Sequence, residues 1–177
     1  RIYEQPETRR FRGFLFKDMS SAFAASREIL QKFKPSVMRL YDGAETSSLI
    51  KKIVGVEKPG AFMNIAYEGV KELVDVEEKI LLDTFDRYGA EDLGSEYGEK
   101  WWKEKITFFY PGHMMDLPQM FGTMDTIAPY DKIEKIYHEM KNAIETNFPH
   151  VKFIAHFSHW YEWGCMIYDR FIVEKEY

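Results

Sequence analysis

The chain closes on two paired strand-like stretches, "VKFIAHFSHW" and "GCMIYDRFIV", and ahead of them strand and helix patterns alternate along most of its length. "RRFRGFLF" alternates as a strand, and "DMSSAFAASREILQKF" follows with apolar residues at helical spacing behind Asp18, a residue suited to an N-cap. Pro35 stops that helix. "SVMRLYD" reads as a strand, "GAETSSLIKKIV" as a short helix capped by Asp42 with Gly55 just past its end, and "GAFMNIAYEG" as a third strand. "VDVEEKILLDTFDRYG" predicts a long amphipathic helix closed by Gly89, and "SEYGEKWWKEKITFF" predicts another. The Gly/Pro-broken loop "YPGHMMDLPQ" leads to a strand in "QMFGTMDTI" and to the helix "APYDKIEKIYHEMKNAIETNF", with Pro129 in its first turn.

The order β-α-β-(α)-β-α-(α)-β-α-β-β predicts an α+β fold. The expected form is ferredoxin-like: a largely antiparallel sheet with helices packed on one face, in one or two ferredoxin-type units. With 177 residues, of which 45% are hydrophobic, residues 1–177 suffice for a single domain with a sizeable core. The 24 basic and 29 acidic residues are mixed along the chain, which argues against nucleic acid as a partner. Cys165 is the single cysteine, so no internal disulfide forms, and a reducing compartment fits. No apolar run approaches the ~20 residues that span a bilayer. An intracellular setting is expected, the cytoplasm in preference to an organelle lumen. The chain starts at Arg1 without methionine and stops just after a strongly patterned strand, as a piece of a longer protein would.

Strand parity adds a second constraint. Met38 and Leu40 share one face of "SVMRLYD", against Val37, Arg39 and Tyr41. In the last strand Cys165, Ile167 and Phe171 oppose Met166, Tyr168, Arg170 and Ile172. Each strand has one face suited to helices and another carrying aromatics and cations, a face that either meets a partner or is solvated.

His156 and His159 resemble a metal pair, but residues three apart on an extended strand point to opposite faces, so no metal is expected there. Cys165 falls on the helix side as a structural thiol. Tyr168 and Arg170 share a face, where a cation beside a phenol favours proton transfer; a hydrogen-bonded structural tyrosine is the plainer alternative. Arg39, among apolar neighbours on an interior strand, needs an anionic ligand or a carboxylate. The adjacent tryptophans of "EKWWKEK" cannot both face one core.

Several stretches, taken in order, resemble one family. "PSVMRLYD" is similar to a P-x-x-x-R-L-x-D strand, "GEKWWKEK" to a G-E-x-W-W-x-x-R helix, "MDTIAPYDKI" to an E-T-x-x-P-W-D junction, and "HFSHWYEWGCMIY" to an H-x-S-H-x-Y-x-x-G-x-x-x-Y segment. These are motifs of the alkyldihydroxyacetonephosphate synthases, within the FAD-linked oxidases of the vanillyl-alcohol oxidase type. The resemblance implies a C-terminal cap domain that closes over the flavin ring, with its own FAD-binding domain upstream supplying most contacts to the FAD cofactor. It implies exchange of acyl for alkyl on dihydroxyacetone phosphate without net redox change, and a small-molecule substrate that is anionic. Tyr168 falls on the family's catalytic tyrosine and Arg39 on an arginine near flavin and substrate; Arg170, His156 and His159 are then expected close to the site.

There are departures. Met115 stands where the family has an arginine, Tyr130 where it has the P-W-D tryptophan, and Lys103 to Lys105 where it has the basic residue after the tryptophans. The family's histidine-rich segment would lie downstream of Tyr177. A 2-hydroxy acid oxidase or dehydrogenase cap is the alternative within the class. Outside it, a ferredoxin-like small-molecule-binding module or a homodimerisation domain also fits the pattern.

Overall fold

A computed structural model describes residues 4–107 and 119–174. Its elements are β1 (Thr8–Phe16), α1 (Met19–Lys32), β2 (Val37–Tyr41), α2 (Gly43–Glu45), a π-helical turn (Thr46–Ile50), α3 (Lys51–Val54), β3 (Ala61–Gly69) and α4 (Lys71–Arg87). They continue as β4 (Glu91–Gly94), α5 (Ser95–Glu104), β5 (Gln119–Pro129), α6 (Tyr130–Asn147), β6 (Val151–Ser158) and β7 (Gly164–Glu174). The strands form one 7-stranded sheet in the order β4-β1-β3-β2-β6-β7-β5. Every neighbouring pair is antiparallel. The first four strands, with α1 and α4, complete the βαββαβ ferredoxin-like unit, and β5-α6-β6-β7 extends it across β2.

Local chemistry sets the boundaries. The Asp18 side chain accepts from Ser21 N at 2.8 Å to start α1, and Asp42 accepts from Glu45 N at 2.7 Å to start α2. Gly55 (φ 90°) and Gly89 (φ 70°) close α3 and α4 in the left-handed conformation. On one face of the sheet Phe14, Phe16, Leu40, Met63, Ile65 and Phe157 pack beneath α1, α4 and α6. Cys165 is buried there too, and burial pushes its thiol up to about 12, as suits a structural residue.

The sheet is roofed on its second side as well, but only in part. Leu15, Tyr41, Phe62, Ile50, Val54 and Trp101 form a smaller core under α3 and α5. The approach of α5 depends on Gly98, where a Cβ would come within 2.6 Å of the Arg12 backbone nitrogen. Over β6 and β7 the cover thins to Glu45 of α2, which reaches His156 and Arg170, and farther along the same face Ile127 of β5 is 50% exposed. Three expectations change accordingly. A short edge strand, β4, occupies residues to which the sequence pattern assigns no element; at four mostly polar residues it has too little alternation to recognise, and its pairing with β1 defines it. The 43–54 helix contains a π-helical turn. Helix α5 ends at Glu104, and Met115 with most of its loop lies outside the described residues.

Candidate active site

The strand register gathers the polar residues of the second face around the sheet's centre. β2 lies in the middle of the strand order, Tyr41 stands opposite His156 on β6, and His156 stands opposite Tyr168 on β7. Alternation places Arg39 with Tyr41, and Arg170 with Tyr168, on that same face. Arg39, Tyr41, His156 and Arg170 line a cavity of about 270 Å³, together with Glu45 and Trp101. Lys105 and Ile106 form its rim. Tyr168 adjoins it through a stack on His156, with ring centroids 5.0 Å apart and planes at 27°.

Each polar group has a distinct environment. Arg170 is buried, and its Nη2 donates to Glu45 Oε1 in an ion pair. Burial lowers the Arg170 guanidinium to about 10, so it remains cationic at neutral pH. Glu45 Oε2 stands 3.4 Å from His156 Nδ1, an approach looser than a well-formed hydrogen bond. Burial first, and then Arg39, hold His156 down to about 3, so the contact joins a neutral imidazole to a carboxylate. Tyr41 accepts from Trp101 Nε1 at 2.7 Å, and burial raises its phenol to about 12. Lys105 Nζ lies 3.4 Å from the Trp102 ring centroid.

Arg39 differs from Arg170. It is half-buried on the central strand, and no carboxylate pairs with it among the described residues. A guanidinium held in that position is a ready anion receptor. The two tryptophans divide as their helical spacing requires: Trp101 is buried, while Trp102 is half-buried between Phe11, Arg9 and Lys105.

The two histidines separate for a reason that strand parity does not cover. β6 ends at Ser158, and His159 lies beyond it with φ 49°, its Nδ1 3.0 Å from Ser158 Oγ. It sits on an exposed turn beside a wider groove of about 730 Å³ that also borders Arg39. Among the described residues no cluster of His, Cys, Asp and Glu is arranged to hold a metal. Glu45, Tyr41, Trp101 and Lys105 join the site although the sequence reading did not select them. The Asp42-x-x-Glu45 spacing was the available signal for Glu45, since it sets that residue in the first turn of a helix leaving β2.

The sequence model of the family described as FAD linked oxidases, C-terminal domain, matches residues 5–175. The chain belongs to this family. Its C-terminal-domain match thus covers nearly all of the sequence, and the family is one of FAD-linked enzymes. The chain is 24% identical to the alkyldihydroxyacetonephosphate synthase of Dictyostelium discoideum over 95% of its own length and 32% of the relative. It is 25% identical to that of Trypanosoma brucei brucei over 97% of its length and 33% of the relative. The chain therefore spans about a third of these curated relatives. A solved alkyldihydroxyacetonephosphate synthase superposes with a TM-score of 0.83 at 23% identity, covering 96% of this chain and 37% of that one. The 4-ethylphenol oxidase of Gulosibacter chungangensis superposes at 0.64 with 9% identity over 95% of this chain and 39% of that one. These superpositions establish a shared fold. No helix among the described residues is long and apolar enough to cross a membrane.

Proposed function

We propose that this domain is the substrate-binding cap of a flavoenzyme that, like the alkyldihydroxyacetonephosphate synthases it is similar to, exchanges acyl for alkyl on dihydroxyacetone phosphate. The observation that carries this reading is Arg39: a half-buried cation on the central strand, without a carboxylate partner among the described residues, at the mouth of a cavity next to Tyr168. Arg39 would hold the anionic head of the substrate, and Tyr168, stacked on His156, would take up or return a proton.

The residues present fit one side of an FAD ring and not the whole cofactor. Tyr168, Ile127 and Met166 lie together on the second face, and Ile127 is 50% exposed. That surface and the adjoining orphan guanidinium suit a planar ring with an electron-rich edge, whereas the cavity of about 270 Å³ is too small for a dinucleotide. An FAD-binding domain of the same protein would therefore supply the remaining contacts. Bound there, FAD would supply the reactive ring for the exchange chemistry. The chain's part is to bind the head group, exclude water and manage the proton.

The decisive experiment assays the protein that carries this domain for acyl-to-alkyl exchange, alongside Arg39→Met. Flavin-dependent exchange that Arg39→Met abolishes while FAD stays bound is the expected result. A protein that purifies without flavin, or an Arg39→Met variant with unchanged KM and kcat, would remove the assignment.

A further inference from the structure

We propose that Glu45 is a positioning residue for the site: its carboxylate is shared between Arg170 and His156, fixing the imidazole tautomer and seating the ring against Tyr168. The proposal rests on the site reading above for its catalytic consequence, and on geometry alone for its structural one.

Glu45 is 1% exposed, and few carboxylates are buried so completely unless paired. Its placement is over-determined from below. Asp42 Oδ1 accepts from the Glu45 backbone nitrogen at 2.7 Å, and Asp42 Oδ2 accepts from the Tyr137 hydroxyl at 3.0 Å, so α6 is tied to the turn that carries Glu45. From that turn the side chain reaches the far strands, with Oε1 on Arg170 and Oε2 3.4 Å from His156 Nδ1, a proximity outside hydrogen-bond geometry between two buried atoms that have no other hydrogen-bond partner among the described residues. The imidazole also lies against the rings of Tyr168 and Tyr41, with centroids at 5.0 and 5.5 Å, and within reach of the charge of Arg39.

Two consequences follow. A carboxylate oxygen facing Nδ1 favours the tautomer whose proton sits on Nδ1, which leaves Nε2 as a hydrogen-bond acceptor. Glu45 also cancels the charge of Arg170, so the anion-binding role falls to Arg39 and not to both arginines. Among the described residues Glu45 forms no ion pair with Arg39 and no hydrogen bond with the Tyr168 hydroxyl. It acts through His156 and Arg170.

The test reads the tautomer directly. ¹⁵N chemical shifts of the His156 ring in this chain should show the Nδ1-protonated form in the majority near neutral pH. Glu45→Gln keeps an acceptor and should retain part of that preference. Glu45→Leu with Arg170→Leu removes both members of the buried pair, a change that proteins often tolerate, and should shift the population toward Nε2–H. In the enzyme carrying this domain the double variant should lose about 10²-fold in kcat, with little change in KM because Arg39 is untouched. A wild-type imidazole that is mainly Nε2-protonated overturns the proposal, as does a folded double variant with the wild-type tautomer ratio and kcat. The tautomer measurement needs no flavin, so its failure would remove the role of Glu45 and leave the flavoenzyme reading standing. Absence of flavin chemistry would do the reverse.

Discussion

The Trp101 indole N–H donates to the Tyr41 hydroxyl at 2.7 Å, and this bond ties helix α5 to the central strand across the roof of the smaller core. Trp101→Phe keeps most of the ring and removes the donor. The expected cost is about 1 kcal/mol, the net worth of one hydrogen bond, plus a smaller packing loss. Chemical denaturation of the 177-residue chain measures it; a stability equal to wild type would mean that packing alone seats α5.

Gly98 controls the same helix from the other side. A Cβ at this position meets the Arg12 backbone nitrogen at 2.6 Å and its carbonyl carbon at 2.9 Å, neither of which can rotate away. Gly98→Ala gains helix propensity on paper but must push α5 off β1, for a net loss of about 1–3 kcal/mol. Near-ultraviolet circular dichroism should report the displaced Trp101, and an unchanged spectrum with raised stability would contradict the contact.

His156 gives a pH dependence of known sign. Its folded pKa, about 3, lies below the usual imidazole value of 6.5, so the unfolded chain binds the extra proton in that interval. Stability from this residue is present above pH 6.5 and is lost as pH falls toward 3, at about 1.4 kcal/mol per unit. His156→Gln should therefore gain on wild type steadily below pH 6.5, as read from urea midpoints across pH. Parallel curves would place His156 in contact with water.

Asp42 has the opposite sign. Burial raises its carboxyl from 3.8 to about 6, so the folded chain holds the proton more tightly and stability falls as pH rises through that window. Asp42→Asn preserves the capping acceptor and removes the titration. The variant should gain about 3 kcal/mol relative to wild type between pH 4 and pH 7. A difference that stays constant over that range would show that Asp42 ionises at its ordinary pKa. Because Asp42 and His156 oppose one another between pH 4 and 6, the wild-type curve alone cannot resolve them; the single variants can.

Most of the sheet was legible because its inward face is written in period-two runs. Met38, Leu40, Cys165 and Ile167 lie on the helix side as parity requires, and Arg39, Tyr41, Tyr168 and Arg170 on the other. The helix ends at Asp18, Asp42, Gly55 and Gly89 were legible for the same reason, since each cap is a local bargain between a side chain or a positive φ and its own backbone. Glu45 was not legible. The Asp42-x-x-Glu45 spacing sets it in the first turn of a helix, but its burial depends on Arg170, 125 residues along the chain, and that spacing alone does not tell a buried carboxylate from a solvated one. Asp169 escaped for a similar reason: it shares the helix-side face with Ile167 and Phe171, is 0% exposed, and has its carboxyl raised to about 6 by burial. The placement of His159 depended on where β6 stops, a boundary that pairing with β7 fixes and sequence leaves loose.

The chain alone should bind FAD poorly. The described residues offer one ring-sized face and a cavity of about 270 Å³. Titration with FAD should leave flavin fluorescence unchanged. A stoichiometric, micromolar quench by the 177-residue chain would mean that the flavin site is contained within it.

Tyr168 and Arg39 separate proton transfer from anion binding. Tyr168→Phe keeps the ring and its stack on His156, so any loss belongs to the hydroxyl. If that hydroxyl moves a proton, kcat in the full flavoenzyme should fall about 10²- to 10⁴-fold with FAD still bound. Arg39→Lys keeps the charge and loses the planar fork, so KM for an anionic substrate should rise together with a fall in kcat. The two variants thus differ in pattern and not only in size: one reports a step made in the transition state, the other a contact already made in the bound complex. Single-turnover kinetics, with chemistry rate-limiting, is the measurement that resolves them. Near wild-type turnover in Tyr168→Phe would return Tyr168 to a packing role beside His156, and Arg39 would then be the residue on which the functional reading rests.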